Sequence, residues 1–279
     1  MAGRRFGAAP FSSVACGMLA GMRIATWNVN SIVPRLPRVL GFLEETAPDV
    51  LCLQELKNTT EAFPAAEIEA LGYEVAAYGL GRWNGVGIVS RVGLSDVVRG
   101  LPGEPSFEGA AEARAVGATC GGVRVWSVYV PNGREPDNPH YAYKLEWLSS
   151  LHSLVASEIS AGPFAVLGDF NVAPTDADVW DIALFAESTH VTKPERDALA
   201  RLRDLGLSDV FPRPLKYDHP FTYWDYRAGN FPNNKGMRID LVYGNSSFTS
   251  AVTDSYVDRN ARKGKGPSDH APIVVDLEL

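Results

Sequence analysis

Residues 122–168 read GVRVWSVYVPNGREPDNPHYAYKLEWLSSLHSLVASEISAGPFAVLG and carry the clearest pattern in the chain. Over 122–130 the side chains alternate as in a strand, so that one face carries Val123, Val125, Ser127 and Tyr129 and the other Arg124, Trp126, Val128 and Val130. Residues 140–160 place six large side chains on one helical stripe, namely Tyr141, Leu145, Leu148, Leu151, Val155 and Ile159. The apolar run 164–168 follows. The stretch therefore predicts a strand, a helix and a second strand.

The same alternation of short apolar runs and helical stretches continues outward in both directions. Further strands are predicted at 23–27, 49–53, 85–90, 239–243 and 271–277. Helices are predicted around Leu36, Val39, Leu40 and Leu43, which follow Pro34, and over 194–205. No low-complexity linker, short repeat or change of composition follows residue 22. We therefore expect one large α/β domain over residues 22–279, with helices covering sheets.

The first 21 residues, MAGRRFGAAPFSSVACGMLAG, do not fit this pattern. Arg4 and Arg5 before small residues faintly resemble a signal peptide, but Pro10, Ser12 and Ser13 interrupt the apolar stretch. The segment is predicted to be a disordered extension, or the product of a start codon assigned too far upstream.

Composition excludes several classes of protein. Hydrophobic residues make up 46% and charged residues 21% of the chain, which is typical of a globular protein with a large core. No apolar run is long enough to span a bilayer, so no membrane partner is expected. Three scattered cysteines, Cys16, Cys52 and Cys120, predict neither a disulfide framework nor a zinc site, which favours the cytoplasm.

The formal net charge of −7 argues against a nucleic-acid partner, but its distribution is uneven. Residues 213–270 hold nine Lys and Arg against six Asp and Glu, a net charge of +3, and the remainder carries −10. An acidic body with a basic C-terminal quarter presents one positive face to a partner. A solvated run of surface charge explains the same numbers equally well.

Polar residues interrupt or follow the predicted strands at six places, and any one of them alone is explained by an ordinary turn. Asp240 is harder to explain in that way, because a carboxylate between Ile239 and Leu241 is costly to bury without a partner. Sheets of α/β proteins gather their sites at strand ends, so the whole set predicts one site. The set comprises Asn28, Asn30, Gln54, Glu55, Tyr129, Asn132, Asp169, Asn171, Asp240, Asp269 and His270.

These residue types indicate a reaction class. Hard oxygen ligands without a cysteine cluster suit Mg²⁺, with Mn²⁺ as a substitute, rather than zinc. The sequence contains no nucleophile elbow, P-loop or glycine-rich dinucleotide turn. Metal-assisted attack of water on a phosphodiester is therefore the simplest prediction.

Eight stretches in this order resemble the exonuclease III family of AP endonucleases, within the endonuclease/exonuclease/phosphatase superfamily. They are TWNVNS (26–31), LQELK (53–57), GVGIVSR (85–91), VYVPNG (128–133), LGDFNVAPTD (167–176), FTYWDYR (221–227), GMRIDLVY (236–243) and PSDHAPIVVD (267–276). The resemblance runs from Met22 to the C-terminus. It implies a four-layer α/β sandwich, in which two mixed β-sheets lie face to face with helices outside.

The resemblance also implies a role for each site residue. Glu55 is the main expected metal ligand, with further ligands expected among Asn28, Asp169, Asn171, Asp269 and His270. Asp169 and Asn171 are expected to position the attacking water and the scissile phosphate, Asp240 to pair with His270, and Tyr129 to hydrogen-bond the phosphate with Asn132 close by. The proton acceptor stays open among Asp169, His270 and Tyr129.

The segment FTYWDYRAGNFPNNKGMRID (221–240) implies the substrate, because in the family it enters the DNA minor groove and lines the pocket for an abasic sugar. The expected pocket wall is Tyr223, Trp224, Met237 and Ile239, although core packing explains one of the two neighbouring aromatics equally well. The side chains expected to meet DNA phosphates are Arg227, Lys235, Arg238, Lys263 and Lys265.

The resulting prediction is a monomeric, cytoplasmic and nucleoid-associated DNA repair nuclease. It would cut duplex DNA 5′ to abasic sites and would also act as a 3′→5′ exonuclease that repairs blocked or recessed 3′ ends. The alternatives are a related phosphodiesterase acting on a non-DNA phosphate ester, and a DNA-binding protein with little catalysis. The chain departs from the family at Val33-Pro34, where a basic residue is common, and at Leu56, where Thr is common.

Overall fold

The computed structural model describes residues 21–279. The segment predicted as an N-terminal extension lies outside the described residues, apart from Gly21, which begins the first strand. Twelve strands follow one another in the described part: β1 (Gly21–Asn28), β2 (Val50–Gln54), β3 (Glu74–Tyr78), β4 (Val86–Ser90), β5 (Ser95–Arg99), β6 (Ala115–Cys120), β7 (Val123–Tyr129), β8 (Phe164–Asp169), β9 (Ser208–Asp209), β10 (Asp240–Gly244), β11 (Val252–Val257) and β12 (Ile273–Glu278).

The strands form two six-stranded sheets. The first has the order β11-β12-β1-β2-β4-β3 and the second the order β5-β6-β7-β8-β10-β9. Strands β1 and β2 run parallel, as do β7 and β8, and the other paired strands run antiparallel. Both sheets are therefore mixed, as the resemblance implies.

Helices cover the outer face of each sheet, namely α1 (Ile32–Glu45), α2 (Ala65–Glu69), α3 (Pro139–Glu158) and α4 (Lys193–Asp204). The short α5 (Ser246–Thr249) instead places Phe248 in the core between the sheets. One apolar cluster lies between the two sheets, a second joins the second sheet to α3 and α4, and a third joins the first sheet to α1 and α2. These three layers of core confirm the predicted four-layer sandwich.

Strand β7 occupies the centre of the second sheet and has the predicted alternation. Val125 packs between the sheets, whereas Trp126 and Val128 pack under the helices. The indole of Trp126 lies across the neighbouring strand β6 at Gly117, where a Cβ atom would come 2.4 Å from ring atom Cε2. Only glycine leaves room for the indole at this position.

The predicted strands are all present, but five others were missed. Strands β3, β5 and β9 are short and partly exposed, β6 is made of small residues, and β11 lies at an edge. The predicted stripe of α3 was also too narrow. Leu145 is only half-buried, whereas Lys144, Trp147 and Leu154 are buried.

The topology brings the polar strand ends together at one edge of the sandwich. Asn28 ends β1 beside Gln54 at the end of the parallel strand β2. Asp169 ends β8 and pairs with both Tyr129 and Asp240 on the neighbouring strands. Among residues 21–279, no helix has both the length and the apolar character needed to cross a bilayer.

Candidate active site

A cleft of about 450 Å³ opens at this edge. Most of the predicted site residues line it, namely Glu55, Tyr129, Asn132, Asp169, Asn171, Tyr223, Arg227, Lys235, Met237, Ile239, Asp269 and His270. Asn28 and Asp240 lie immediately behind its wall, where they contact residues that do line it. The polar side chains at the predicted strand ends therefore lie together in or directly behind one cleft.

Two carboxylates share one amide at the base of the cleft. The Nδ2 group of Asn28 donates to Oε1 of Glu55 at 2.8 Å and to Oδ2 of Asp169 at 2.9 Å. The other carboxylate oxygen of Glu55 lies 2.9 Å from Nζ of Lys57. Burial opposes ionisation of Glu55, but Lys57, Asn28 and His270 together outweigh this effect and lower the pKa of Glu55. The predicted proximity of Asn28 and Glu55 is confirmed.

The backbone at this base is held in the left-handed region that ordinary residues avoid. Glu55 has φ of 53° and Asn171 has φ of 51°. Such conformations cost about 1–3 kcal/mol each and persist where surrounding contacts impose them, commonly at functional sites. The neighbouring Gly168 has φ of 148°, and a Cβ atom there would come 2.0 Å from the carbonyl oxygen of Val128.

His270 and Asp240 form the predicted pair. Nδ1 of His270 donates to Oδ2 of Asp240 at 2.7 Å, and both side chains are buried. Burial lowers the pKa of His270, but Asp240 and the other nearby carboxylates outweigh it and raise that pKa to about 10. The imidazole is therefore charged at neutral pH. Its Nε2 atom lies 3.9 Å from Oδ2 of Asp169.

Asp169 and Tyr129 have strongly altered acidity. Burial, together with Asp240 and Glu55, raises the pKa of Asp169 to about 7, although His270 opposes the shift. Burial and the neighbouring Glu55 raise the pKa of the Tyr129 phenol well above its ordinary value. Tyr129 is thus a hydrogen-bond donor at neutral pH, and Asp169 is the group closest to titrating there.

Glu55 and Asp169 form a candidate metal centre beside His270. One carboxylate oxygen of each and a ring nitrogen of His270 all lie within 4.8 Å of one another. Because the charged imidazole has no free lone pair, the two carboxylates would be the metal ligands and His270 a neighbouring hydrogen-bond donor. The half-buried carboxylate of Glu55 and the buried carboxylate of Asp169, bridged by one amide, present the hard oxygen donors that Mg²⁺ and Mn²⁺ take up. A divalent cation would also relieve the repulsion between the carboxylates that raises the pKa of Asp169. The residues present therefore fit a divalent metal.

The remaining polar residues surround this centre. Nδ2 of Asn132 donates to Oδ1 of Asn171 at 3.2 Å, which places the two amides side by side. The backbone N–H of Asn171 donates to Oδ1 of Asp169 at 2.9 Å. Oδ1 of Asp269 accepts from Nδ2 of Asn30 at 3.0 Å.

The rim of the cleft combines aromatic, apolar and basic side chains. The ring of Tyr223 lies 4.9 Å from the His270 ring, between centroids. Met237 and Ile239 line the same wall. Lys235 places its ammonium 4.7 Å from the ring centroid of Trp180, and the guanidinium of Arg227 is largely exposed beside Asp225.

Sequence reasoning missed part of the lining. Trp180, Phe185 and His190 face the cleft from the segment between β8 and α4, and Asn230 and Gly236 face it from the 221–240 loop. The aromatic residues of WDIALFAESTH (180–190), which follow directly on the Asp169 motif, were the available signal.

Two predicted DNA contacts are wrong. Trp224 is fully buried in the core between the sheets, because its indole packs against Phe231 and Arg259. The guanidinium of Arg238 is 2% exposed and is bound by Asp178 at 2.6 Å and Asp209 at 2.9 Å. Neither side chain can reach DNA without leaving its partners. Lys263 and Lys265 are exposed but do not line the cleft.

A four-layer sandwich with a carboxylate and histidine centre at one edge defines the class of metal-dependent phosphoesterases. The chain belongs to the Endonuclease/Exonuclease/phosphatase family, whose model matches residues 25–270. Within it, the relatives and solved structures below identify the exonuclease III family of AP endonucleases, as the motifs predicted.

Three similar proteins illustrate this kinship. Exodeoxyribonuclease III of Haemophilus influenzae is 29% identical over 274 residues, which cover 92% of this chain and all of that protein. A 3′ phosphatase from Neisseria, solved with a product DNA hairpin, is 38% identical with a TM-score of 0.88. An AP endonuclease from Archaeoglobus fulgidus is 33% identical with a TM-score of 0.87. Each of these two comparisons covers 92% of this chain and the whole of the other.

Proposed function

We propose that this protein hydrolyses phosphate esters of duplex DNA with Mg²⁺, cutting 5′ to abasic sites and clearing blocked or recessed 3′ ends. Its family membership makes it a DNA repair nuclease. One observation carries the proposal: the centre of Glu55, Asp169 and His270 opens into a cleft whose rim is aromatic and basic. A metal centre alone would serve any phosphate ester, whereas this rim suits a sugar-phosphate chain.

Glu55 and Asp169 are the proposed metal ligands, with Asn28 and Asp269 assisting from the surrounding positions. A metal held there, Mg²⁺ or Mn²⁺ in its place, would supply positive charge to the phosphate and the leaving 3′ oxygen. The protein's own donors act from the other side. The charged His270 and the neutral phenol of Tyr129 stabilise the negative charge that develops on the phosphate oxygens, with Asn171 as a third donor.

We assign the proton acceptor to Asp169. Asp169 is a carboxylate that lines the cleft, so it can accept a proton from water bound there. His270 already carries its proton at neutral pH, and Tyr129 holds its own far more tightly than ordinary tyrosine. Asp169 also accepts the backbone N–H of Asn171, which fixes the carboxylate's orientation.

The rim supports recognition of a flipped or terminal sugar. Tyr223, Met237 and Ile239 form an apolar wall beside His270, and Trp180 and Phe185 extend it. A sugar without a base is cheaper to extrude from the duplex, which favours abasic sites. Lys235 and Arg227 supply positive charge to the flanking phosphates without reading sequence.

A second candidate is an enzyme confined to 3′ ends. It is favoured by the Neisseria relative, which is described as a 3′ phosphatase at 38% identity and as a 3′-5′ exonuclease at 39%. The AP endonuclease from Archaeoglobus fulgidus, at 33% identity, favours the broader activity.

One set of substrates tests both candidates. The purified protein is given a duplex with one internal abasic analogue, a nicked duplex with a 3′-phosphate and a recessed 3′ end, each with Mg²⁺ and with EDTA. Mg²⁺-dependent cutting of all three supports the full proposal. Cutting at 3′ ends alone supports the narrower candidate. No Mg²⁺-dependent reaction on any of them would refute both, as would normal activity of an Asp169→Ala variant.

We further propose that the protein works as a monomer on nucleoid DNA in the cytoplasm. The residues of the centre and the rim all come from one chain, so no partner subunit is needed to complete the cleft. Sedimentation of the active protein as a single chain is the expected result, and loss of activity on dilution to the monomer would contradict it.

A further inference from the structure

A buried ion pair lies directly behind the catalytic loops, on their helix side. Nζ of Lys144 on α3 lies 2.5 Å from Oε1 of Glu195 on α4, and both side chains are completely buried. A buried lysine on a helix is unusual, because its charge is normally kept in water. Burial lowers the pKa of Lys144, and Glu195 opposes this shift, so the pair depends on its own contacts to remain charged.

The ammonium of Lys144 binds two backbone carbonyls as well as the carboxylate of Glu195. Nζ of Lys144 also donates to the carbonyl oxygen of Asn171 at 2.7 Å and to that of Asn132 at 3.2 Å. These are the two cleft residues whose side-chain amides lie 3.2 Å apart. One buried cation therefore ties together the backbones of two separate catalytic loops.

The carboxylate holds a third loop in the same way. Oε1 of Glu195 accepts the backbone N–H of His190 at 3.0 Å and the hydroxyl of Thr189 at 2.7 Å. His190 in turn donates from Nδ1 to the carbonyl oxygen of Asn171. The other oxygen, Oε2, closes the capping box with Thr192 that begins α4.

The atoms around the Lys144–Glu195 pair are closely packed. At Gly133 a Cβ atom would come 2.7 Å from Oγ1 of Thr189 and 3.0 Å from Cδ of Lys144. The backbone after Asn132 thus lies directly against the lysine stem. The left-handed conformation of Asn171, with φ of 51°, is one that its surroundings must impose, and its carbonyl receives two of these donors.

We propose that the Lys144–Glu195 pair is a positioning device that fixes Asn132, Asn171 and His190 relative to the metal centre. This inference rests on the proposed function. Neither charge lines the cleft, so the pair acts on the reaction only through the loops it holds. Its removal should lower kcat and leave KM for DNA nearly unchanged.

A charge-free double variant separates positioning from stability. Lys144→Met alone strands a buried carboxylate and should lower the melting temperature by about 10 °C. Lys144→Met combined with Glu195→Gln removes both charges, and such replacements often restore stability. We expect the double variant to melt near the wild type while its kcat falls about 10²-fold, because a misplacement of about 1 Å can cost that much.

The matched control is Arg124→Met with Glu158→Gln. This ion pair joins β7 to the far end of α3 and has no contact with the cleft. The kcat of the control variant should therefore match that of the wild type. If the double variant of Lys144 and Glu195 is stable and keeps the wild-type kcat, the positioning role is overturned and the proposed function is unaffected. A wild type that cut no DNA would instead overturn the proposed function.

If the double variant does not fold, Thr189→Val provides the alternative test. This change removes one hydroxyl between the carbonyl of Asn132 and Glu195, and it leaves both charges in place. A lower kcat at an unchanged melting temperature supports positioning. An unchanged kcat overturns it.

Discussion

Replacing Asp240 by Asn should disable the reaction while leaving the fold and the metal ligands in place. Asn has the shape of Asp, and Asp240 lies behind the cleft wall rather than in it. The change removes the negative charge that His270 contacts at 2.7 Å. The fixed orientation of the imidazole and its positive charge both depend on that contact.

The expected magnitude follows from burial. Hydrogen bonds to charged groups contribute about 1.5–3 kcal/mol, against about 0.5–1.5 kcal/mol for neutral pairs. Without the carboxylate, burial still lowers the pKa of His270 and its largest opposing influence is gone, so the pKa falls and the ring is less often charged at neutral pH. The transition state then loses one charged donor, and loss of a donor of this kind costs about 10²–10³-fold in rate.

The assay is single-turnover hydrolysis of a nicked duplex with a 3′-phosphate at saturating Mg²⁺. We expect the rate of Asp240→Asn to fall by about 10²-fold, with the Mg²⁺ concentration for half-maximal rate unchanged. Asp209→Asn is the control, because this carboxylate binds Arg238, which lies in the loop before β10, and does not line the cleft. A wild-type rate in Asp240→Asn would refute the role given to the pair.

Three further predictions concern single side chains. Glu55→Gln should raise the Mg²⁺ concentration for half-maximal rate by about tenfold or more, since it removes the negative charge of a metal ligand. An unchanged Mg²⁺ titration would contradict this role. Lys235→Ala should raise KM and reduce the slope of log KM against log salt by about 0.9; an unaltered slope would exclude phosphate contact. Arg238→Met should lower the free energy of unfolding, measured in urea, by about 3–5 kcal/mol, because it leaves Asp178 and Asp209 without their partner. A raised KM for DNA at an unchanged free energy of unfolding would instead identify Arg238 as a DNA contact.

The sequence predicted the site well where chemistry and position coincided. Asp240 was singled out because a carboxylate between two apolar residues needs a buried partner, and His270 is that partner. Strand ends located the other polar residues, because a parallel pair in each sheet brings several of these ends to the same edge.

The predictions for Trp224 and Arg238 failed because the sequence does not show in which direction a side chain points within a loop. Tyr223 and Trp224 are neighbours of similar character, yet one lines the cleft and the other fills the core. Arg238 resembled a phosphate contact until Asp178 and Asp209, distant in sequence, were seen to bind it. Long-range pairing of this kind has no local signal.

Lys144 was missed for a different reason. A lysine is expected in solvent, and the sequence analysis left Lys144 out although its position, three residues after Tyr141 and four before Leu148, places it on the buried stripe of α3. Its burial follows from the positions of Asn132, Asn171 and Glu195, which only the fold brings together.

In the proposed mechanism Glu55 and Asp169 hold a divalent metal beside the charged His270, and the three act together on a phosphate ester. Anomalous diffraction from crystals of the protein grown with Mn²⁺ and a DNA product tests it most directly. The expected result is a Mn²⁺ peak at coordinating distance, about 2.0–2.3 Å, from the carboxylates of Glu55 and Asp169, with a DNA phosphate beside His270. A peak elsewhere, or none at this cleft with DNA bound, would contradict the account.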